Sequence, residues 1–484
     1  MMKKNLAFYS ILFVSFLLLQ RGSGVLTKIV LANSITPYEY GLITLLALTV
    51  PSILQIFSNL NFYQMLSHST EGKEYFGFSI VVSSLLMATI SILLILFSEP
   101  FFEYLNVPTD QQPLFLFVIL IIMWSQGVLV DFQGLFAGLR LYSVPGIILT
   151  LPSVIRLLAV VVLMISKTIS LTAVLLVFGL SSLVPLAYIV SKSRYRELCG
   201  LMKVIKLPEK SILAFGTTIF MMSSVSVIGQ YLVRIVLSHE LGLEWQGYFD
   251  VSLTLIALII FGLSTIDFVS VPEATGNEQG NLYDKGGLSD IARLLFAFAL
   301  ITAAILYFYA DYIVIVFFSK DYLPASDYIL ILALGYIFLF VQVLITDINL
   351  AQAKDLKEFR GYLILSLILI PAFFFIPQYS IRLMRAAGYG NGFLGAYVSF
   401  CCILIAFTLF TVLLARDRRP VKTLLMKFER LGLSLLIPSL IIFLTNPPPL
   451  AGIFILLIGF TLLVFWSGYL DRSIILDIFG THDA

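Results

Sequence analysis

Residues 75–97 read YFGFSIVVSSLLMATISILLILF, 23 residues without one charged side chain. As an α-helix this stretch is about 34 Å long, enough to cross a hydrocarbon core of roughly 30 Å. As a strand it would far exceed the usual five or six residues. The reading is therefore a transmembrane helix, and its neighbours repeat the pattern. Apolar windows recur near 6–31, 40–66, 114–139, 144–165, 171–190, 212–237, 248–271, 288–308, 328–351, 359–375, 393–414, 424–444 and 450–470. With 75–97 they make about fourteen spans, so the fold class is all-α and polytopic. Internal prolines such as Pro51, Pro152, Pro185, Pro371 and Pro438 read as kinks, because neighbouring helices can re-satisfy the freed carbonyls.

Composition agrees. The 484 residues are 60% hydrophobic and 12% charged, with a mean hydropathy of +1.01. Soluble domains carry about 25% charged residues, so too little polar surface exists here to coat a water-soluble globule. The start, Met1-Met2-Lys3-Lys4 before an apolar run, has no small-residue cleavage site after it and reads as the first span. Of 30 Lys and Arg, 22 fall in or beside segments on the N-terminal side of the membrane, and only Lys167, Lys320, Arg382 and Arg385 on the other. The positive-inside rule then expects both termini in the cytoplasm and an even number of spans in the plasma (inner) membrane. Cys199, Cys401 and Cys402 make no disulfide framework, and His68, His239 and His482 are scattered, so no metal site is expected. The glycine-rich inner loop 277–290 lacks a phosphate-binding G-x-x-x-x-G-K-[ST] pattern. No cofactor and no nucleic-acid partner are expected.

An internal repeat organises the spans. Lys28-Ile29-Val30-Leu31 in span 1 matches Arg234-Ile235-Val236-Leu237 in span 7, and at the same offset Gly41 falls on Gly247. Gln126, Asp131 and Gln133 in span 4 match Gln342, Asp347 and Asn349 in span 10. Six spans separate the copies, so the repeat is parallel, with its axis along the membrane normal. The expectation is two six-helix lobes, 1–191 and 211–416, around a central cavity. A cytoplasmic linker, 192–210, joins them, and helices 13 and 14 with a cytoplasmic tail, 417–484, are appended.

Charges within spans cost about 2.5–3.5 kcal/mol each on insertion scales and need a partner, water or substrate. Arg21 and Arg156 lie near the middle of their spans, facing either a cavity or a buried ion pair. Lys28 and Arg234 lie about a turn and a half below the outer end, as snorkelling anchors or, given their shared repeat position, a paired cation site. Asp131 and Asp347 read either as a gate or ion-coupling carboxylates, or as helix-end partners of Arg140 and Lys354. Asp250 reads as interfacial, and Asp267 as an inner-end salt bridge or gating group.

Several segments resemble one family. Pro37-Tyr38-Glu39-Tyr40-Gly41 resembles the Pro-x-x-[Tyr/Phe]-Gly turn of polysaccharide flippases of the O-antigen translocase type, within the multidrug/oligosaccharidyl-lipid/polysaccharide exporter superfamily. Val271-Pro272-Glu273-Ala274 resembles that family's Pro-Glu at the inner end of helix 8. Phe318-Ser319-Lys320-Asp321-Tyr322-Leu323-Pro324-Ala325 resembles its Phe-Gly-x-x-Tyr-x-x-Ala segment, with Ser319 where glycine is usual. Gly388-Tyr389-Gly390-Asn391-Gly392-Phe393 resembles the glycine-rich approach to helix 12. The resemblance covers roughly 1–416. It implies alternating access by two lobes, carrying a polyprenyl-pyrophosphate-linked oligosaccharide to the outer face for surface polysaccharide synthesis. Related peptidoglycan-precursor flippases also have fourteen helices, the last two forming a groove for the lipid tail. Implied partners are the lipid-linked oligosaccharide, membrane lipids, and a glycan polymerase or assembly proteins. By position Arg21 and Lys28 correspond to the cations of such flippases, and Arg156 and Arg234 are added from depth and repeat.

The alternatives are an H+- or Na+-coupled drug or organic-cation antiporter of the same superfamily, and a membrane glycosyltransferase or polymerase. Four basic residues within spans argue against a cationic cargo. The outer segments 98–113 and 376–392 are short and hold no Asp-x-Asp loop, which argues against the enzyme.

Overall fold

A computed structural model describes residues 2–59, 72–139, 141, 143–192, 200, 205–209, 225, 227–257, 287–352, 360–415 and 428–469. Its regular elements are helices, and no strand occurs among the described residues. Helix α1 (Met2–Ala32) leads into α2 (Pro37–Ile43), a π-helical turn (Thr44–Thr49) and α3 (Val50–Asn59). Then come α4 (Phe76–Leu96), α5 (Ser98–Tyr104), α6 (Gln112–Gly138), α7 (Ser143–Ile165) and α8 (Leu171–Ser191). Residues 227–240 and 243–257 are helical and are called α9 and α10. The series ends with α11 (Gly287–Phe317), α12 (Ile329–Gln352), α13 (Arg360–Ala386), α14 (Phe393–Leu414), α15 (Phe428–Thr445) and α16 (Pro449–Trp466).

Ten helical stretches among the described residues are long and apolar enough to cross a membrane. Helices α1, α9, α10 and α15 stand where the sequence places spans 1, 7, 8 and 13. Together these make about fourteen membrane helices in an all-α polytopic fold. The prolines 152, 185, 371 and 438 stay inside continuous helices. The break in α11 instead falls at Tyr309, whose φ of −132° and ψ of 19° leave the helical region.

The chain divides into two compact units, residues 1–250 with 366–393, and residues 251–365 with 394–484. In the first unit, α2 begins with a capping box: Glu39 N–H donates to Thr36 Oγ1 at 3.3 Å and Thr36 N–H to Glu39 Oε2 at 3.1 Å. Pro37 occupies the first helical turn, where no amide hydrogen is needed. Helix α7 lies against α1, with Gly146 over the Phe16 ring and the Thr150 hydroxyl donating to Phe16 O at 3.0 Å. The Ser125 hydroxyl donates to Ser182 Oγ at 2.7 Å, joining α6 to α8. Such small-residue contacts and interhelical hydrogen bonds replace the hydrophobic drive that lipid removes. An apolar cluster of Phe76, Phe132, Phe136, Leu135, Ile148 and Ile189 packs α4, α6, α7 and α8 together.

The sharpest approach in this unit is between turns of the two repeats. A methyl on Gly41 would stand 1.9 Å from Leu243 O, and one on Gly247 would stand 2.6 Å from Pro37 O. Leu243 is the repeat counterpart of Pro37, as Gly247 is of Gly41, so the contact is reciprocal. Each turn rests its glycine on the other's backbone carbonyl, as in an isologous interface.

In the second unit, the Ser252 hydroxyl donates to Ala325 O at 2.6 Å and lies 2.8 Å from the Tyr397 hydroxyl. The appended helix α16 docks on α11 at Gly452, where a methyl would meet the Tyr309 hydroxyl. Ser319 has φ 91° and ψ 165°, a region populated essentially by glycine alone.

Two stability outcomes follow. Gly41→Ala drives a methyl into backbone and is expected to cost about 1–3 kcal/mol, read as a lower melting temperature in detergent. Gly24→Ala, with nothing within 4 Å, is expected to hold or raise it. Ser319→Gly relieves about 1–3 kcal/mol of backbone strain against about 0.5–1 kcal/mol of glycine entropy. It should raise the melting temperature, and a fall would show that Ser319 is not strained.

Candidate functional site

Helix α1 carries Lys28, α9 carries Arg234, and α10 carries Asp250, all within the first unit. Lys28 Nζ lies 2.8 Å from Asp250 Oδ2, and Arg234 Nη2 lies 2.5 Å from Asp250 Oδ1. The Asp250 carboxylate is fully buried, while the Arg234 and Lys28 side chains are 8% and 20% exposed. The Tyr40 hydroxyl donates to Asp250 Oδ2 at 2.8 Å. Arg234 Nη1 donates to Thr49 Oγ1 at 3.3 Å, and Thr49 in turn donates to Thr44 O at 3.0 Å. The π-helical turn supplies this geometry, because its i→i+5 spacing brings the Thr49 hydroxyl back to the Thr44 carbonyl. Arg234 Nε is buried without a hydrogen-bond acceptor among the described residues.

The repeat explains half of this arrangement. Tyr40 and Gln246 share one repeat position, and Thr44 and Asp250 share another, at the offset relating Lys28 to Arg234. Tyr40 meets Asp250, and reciprocally Gln246 meets Thr44, with Gln246 Nε2 3.2 Å from Thr44 Oγ1. Symmetry would give each repeat an acid or neither. Here only the second has one, so two cations share one carboxylate and the triad carries a net charge of +1. Removing one member of a buried ion pair strands the other, at about 3–5 kcal/mol. The group is therefore tightly interdependent.

The turn ahead of α10 is clamped from two sides. Asn106 Nδ2 donates to Ser238 O at 2.8 Å, and the His239 ring stacks on Tyr104 at 4.0 Å. Arg382 Nε and Gln378 Nε2 donate to Glu240 Oε1 at 2.9 and 3.0 Å, and Arg385 Nη2 donates to Glu240 O at 2.8 Å. Burial raises the Glu240 carboxyl, but the hydrogen bonds from Arg382 and Gln378 outweigh it and hold it below the ordinary range. Its stabilisation is present above the ordinary glutamate value of about 4.3 and is lost as pH falls through the lower folded value. Glu240→Gln is expected to lower the melting temperature at pH 7, with the gap to the wild type closing below about pH 4.

The other sequence-derived candidates are placed separately. Arg21 lies seven residues before Lys28, about 10 Å along α1 and close to the same helix face. Arg156 on α7 stacks over the Phe178 ring at 4.3 Å and donates from Nε to Ser181 Oγ at 3.3 Å. None of its contacts is with the triad. Asp131 on α6 is fully buried and accepts a 2.5 Å hydrogen bond from Ser79 Oγ; its Oδ2 and the buried Ser83 hydroxyl have no hydrogen-bond partner among the described residues. Arg140, its alternative partner, lies outside the described residues, as do Lys354 and Asp267. Asp347 lies on α12, and its side chain is also outside them. No group of three metal-ligating side chains occurs among the described residues.

Asp250 corrects the sequence reading. It is more than a charge at the outer end of a span: it is fully enclosed and joins the two repeat cations. The sequence signal is only that a carboxylate one turn after Gly247 needs a partner within the membrane; that Lys28 and Arg234 face it is a result of packing.

No family model matches the sequence, and no curated protein matches it. Among solved structures, the lipid II flippase MurJ in an inward closed conformation aligns with 96% of this chain and 100% of its own, at TM-score 0.67 and 17% identity. An inward-facing multidrug resistance MATE family transporter of the MOP superfamily aligns with 86% of this chain and 98% of its own, at TM-score 0.56 and 14% identity. A MATE in complex with MaL6 aligns with 86% and 95%, at TM-score 0.56 and 13% identity. Near-complete coverage at such low identity is a likeness of fold: this chain is a multi-spanning membrane protein with the architecture shared by these transporters.

Proposed function

We propose that the chain is a flippase that carries a polyprenyl-pyrophosphate-linked oligosaccharide from the cytoplasmic to the outer face of the plasma membrane. The observation that carries this reading is the buried triad, in which two repeat-related cations share one carboxylate and keep a net positive charge. A pyrophosphate crossing hydrocarbon cannot go without counter-charge. Lysine and arginine donors supply charge-assisted hydrogen bonds to phosphate oxygens, with a fork geometry at arginine. Arg21, about two turns inward on the same face of α1, extends the cationic path towards the cytoplasmic side. Arg156, held against Phe178 and Ser181 between α7 and α8, is in this reading a further cation of the N-terminal bundle. The similarity in fold to a lipid II flippase supports a lipid-linked anionic cargo.

The lobes in this reading are 1–191 and 211–416, linked by 192–210, with the pair in 417–484 receiving the lipid tail. Both termini are cytoplasmic. Asp131, Asp347 and Asp267 serve as gating or ion-coupling groups. The consumer of the product is a glycan polymerase or assembly protein on the outer face.

One observation favours a second reading. Asp131 is a buried carboxylate with no cation partner among the described residues, the chemistry a proton- or sodium-coupled cation antiporter uses, and the MATE likeness in fold is compatible with it. The two readings separate experimentally. In cells, Lys28→Ala, Arg234→Ala and Arg21→Ala are expected to reduce surface glycan at least tenfold while lipid-linked intermediate accumulates. Unchanged export would overturn the flippase. Ion-coupled efflux of a cationic dye from proteoliposomes, lost in Asp131→Asn and kept in Arg21→Ala, would establish the antiporter.

A further inference from the structure

We infer that Asp250 is a built-in competitor of the anionic cargo: its carboxylate holds the place between Lys28 and Arg234 that a phosphate group takes on binding, and so sets the site's affinity. The inference rests on the anion-site reading above and adds a residue and a regulation to it.

Three observations support it. The two cations reach the carboxylate from different repeats, one on each oxygen, at 2.8 and 2.5 Å. That is the bridging arrangement a phosphate, with its several oxygens, reproduces. The Arg234 residue is 7% exposed, and its Nε has no acceptor among the described residues. A carboxylate therefore leaves unfilled donor capacity that a larger anion can take up. Finally, the asymmetry is specific. Thr44 stands at the repeat position of Asp250 and bonds Gln246, so at this pair of repeat positions there is one acid, not two, beside the cations.

With no acid, two buried cations would hold a pyrophosphate too tightly to release it. With two acids, no net charge would remain to attract it. One acid leaves the site able to exchange anions. The Tyr40 hydroxyl, which donates to Asp250 Oδ2, gives the displaced carboxylate a remaining partner. Exchange also has a mechanical consequence. Asp250 ties α1 and α9 to α10 beside the reciprocal Gly41–Gly247 contact, so a phosphate that bridges Lys28 and Arg234 keeps α1 joined to α9 and frees α10 from both. Cargo binding and release of α10 are then one event.

The test is calorimetric titration of the purified full-length protein in nanodiscs, with inorganic pyrophosphate and, separately, with polyprenyl pyrophosphate in the disc. Asp250→Asn is expected to bind at least tenfold more tightly than the wild type, and Thr44→Asp at least tenfold more weakly. The exchange variant, Asp250→Thr with Thr44→Asp, should return towards wild-type affinity. Binding that is unchanged or weaker in Asp250→Asn, while Lys28→Ala and Arg234→Ala abolish it, would overturn the competitor role and leave the anion site standing. No binding of either probe by the wild type would overturn both. An effect with pyrophosphate alone would assign the competition to a soluble anion, and an effect with the lipid to a headgroup; each supports the role of Asp250. Should the variants fail to fold, the wild-type structure with pyrophosphate decides. Asp250 is expected more than 4 Å from at least one cation, and bound phosphate with both ion contacts intact would refute the competition.

Discussion

One carboxylate stands between two cations, and much of the first unit is arranged so that it can. Asp250 is fully buried, and a bare charge there would be prohibitive. Its enclosure is possible only because Lys28 and Arg234 arrive from two repeats and Tyr40 supplies a hydroxyl. That convergence in turn requires the turns at Gly41 and Gly247 to touch backbone to backbone, since any side chain at Gly41 would collide with Leu243 O. The clamp on residues 238–240 by Asn106, Tyr104, Arg382 and Arg385 fixes the turn from which α10 departs.

The repeat gives this region its economy and its polarity. Pseudo-symmetry makes favourable contacts in pairs, which is why Gly41 with Leu243 is answered by Gly247 with Pro37, and Tyr40 with Asp250 by Gln246 with Thr44. Charge is where the symmetry breaks. The first copy brings Lys28 with a neutral threonine and the second brings Arg234 with an aspartate, so the three charged groups together carry a net +1. The π-helical turn from Thr44 to Thr49 belongs to the same departure, because it brings Thr49 to Arg234.

Other polar groups in the bundle show how differently similar residues are used. Arg156 is held by an aromatic face and a serine within the N-terminal helices. Asp131, on the same unit, rests on Ser79 with its second oxygen unpartnered among the described residues. These two groups of opposite sign are thus held by separate partners and not by each other. Ser319 carries its strain in a backbone region that glycine alone occupies readily.

The spans, their order and the repeat were legible because bilayer thickness imposes a length on each apolar segment and duplication leaves an offset. Lys28 and Arg234 could be linked by that offset alone. Asp250 could not be linked in that way, because its repeat partner is Thr44, and a pattern of matches passes over positions where the copies differ. Depth along a span says how far a charge is from the interface, but not whether it faces lipid or another helix. Apolar periodicity and length gave an all-helical, multi-spanning fold, and the offset of matches reads as two copies of one plan. Packing alone brought the turns at Gly41 and Gly247 together and enclosed the acid between Lys28 and Arg234. That difference is physical: a buried ion triad depends on which helix faces meet, and side-chain partners hundreds of residues apart are chosen by packing, not by spacing.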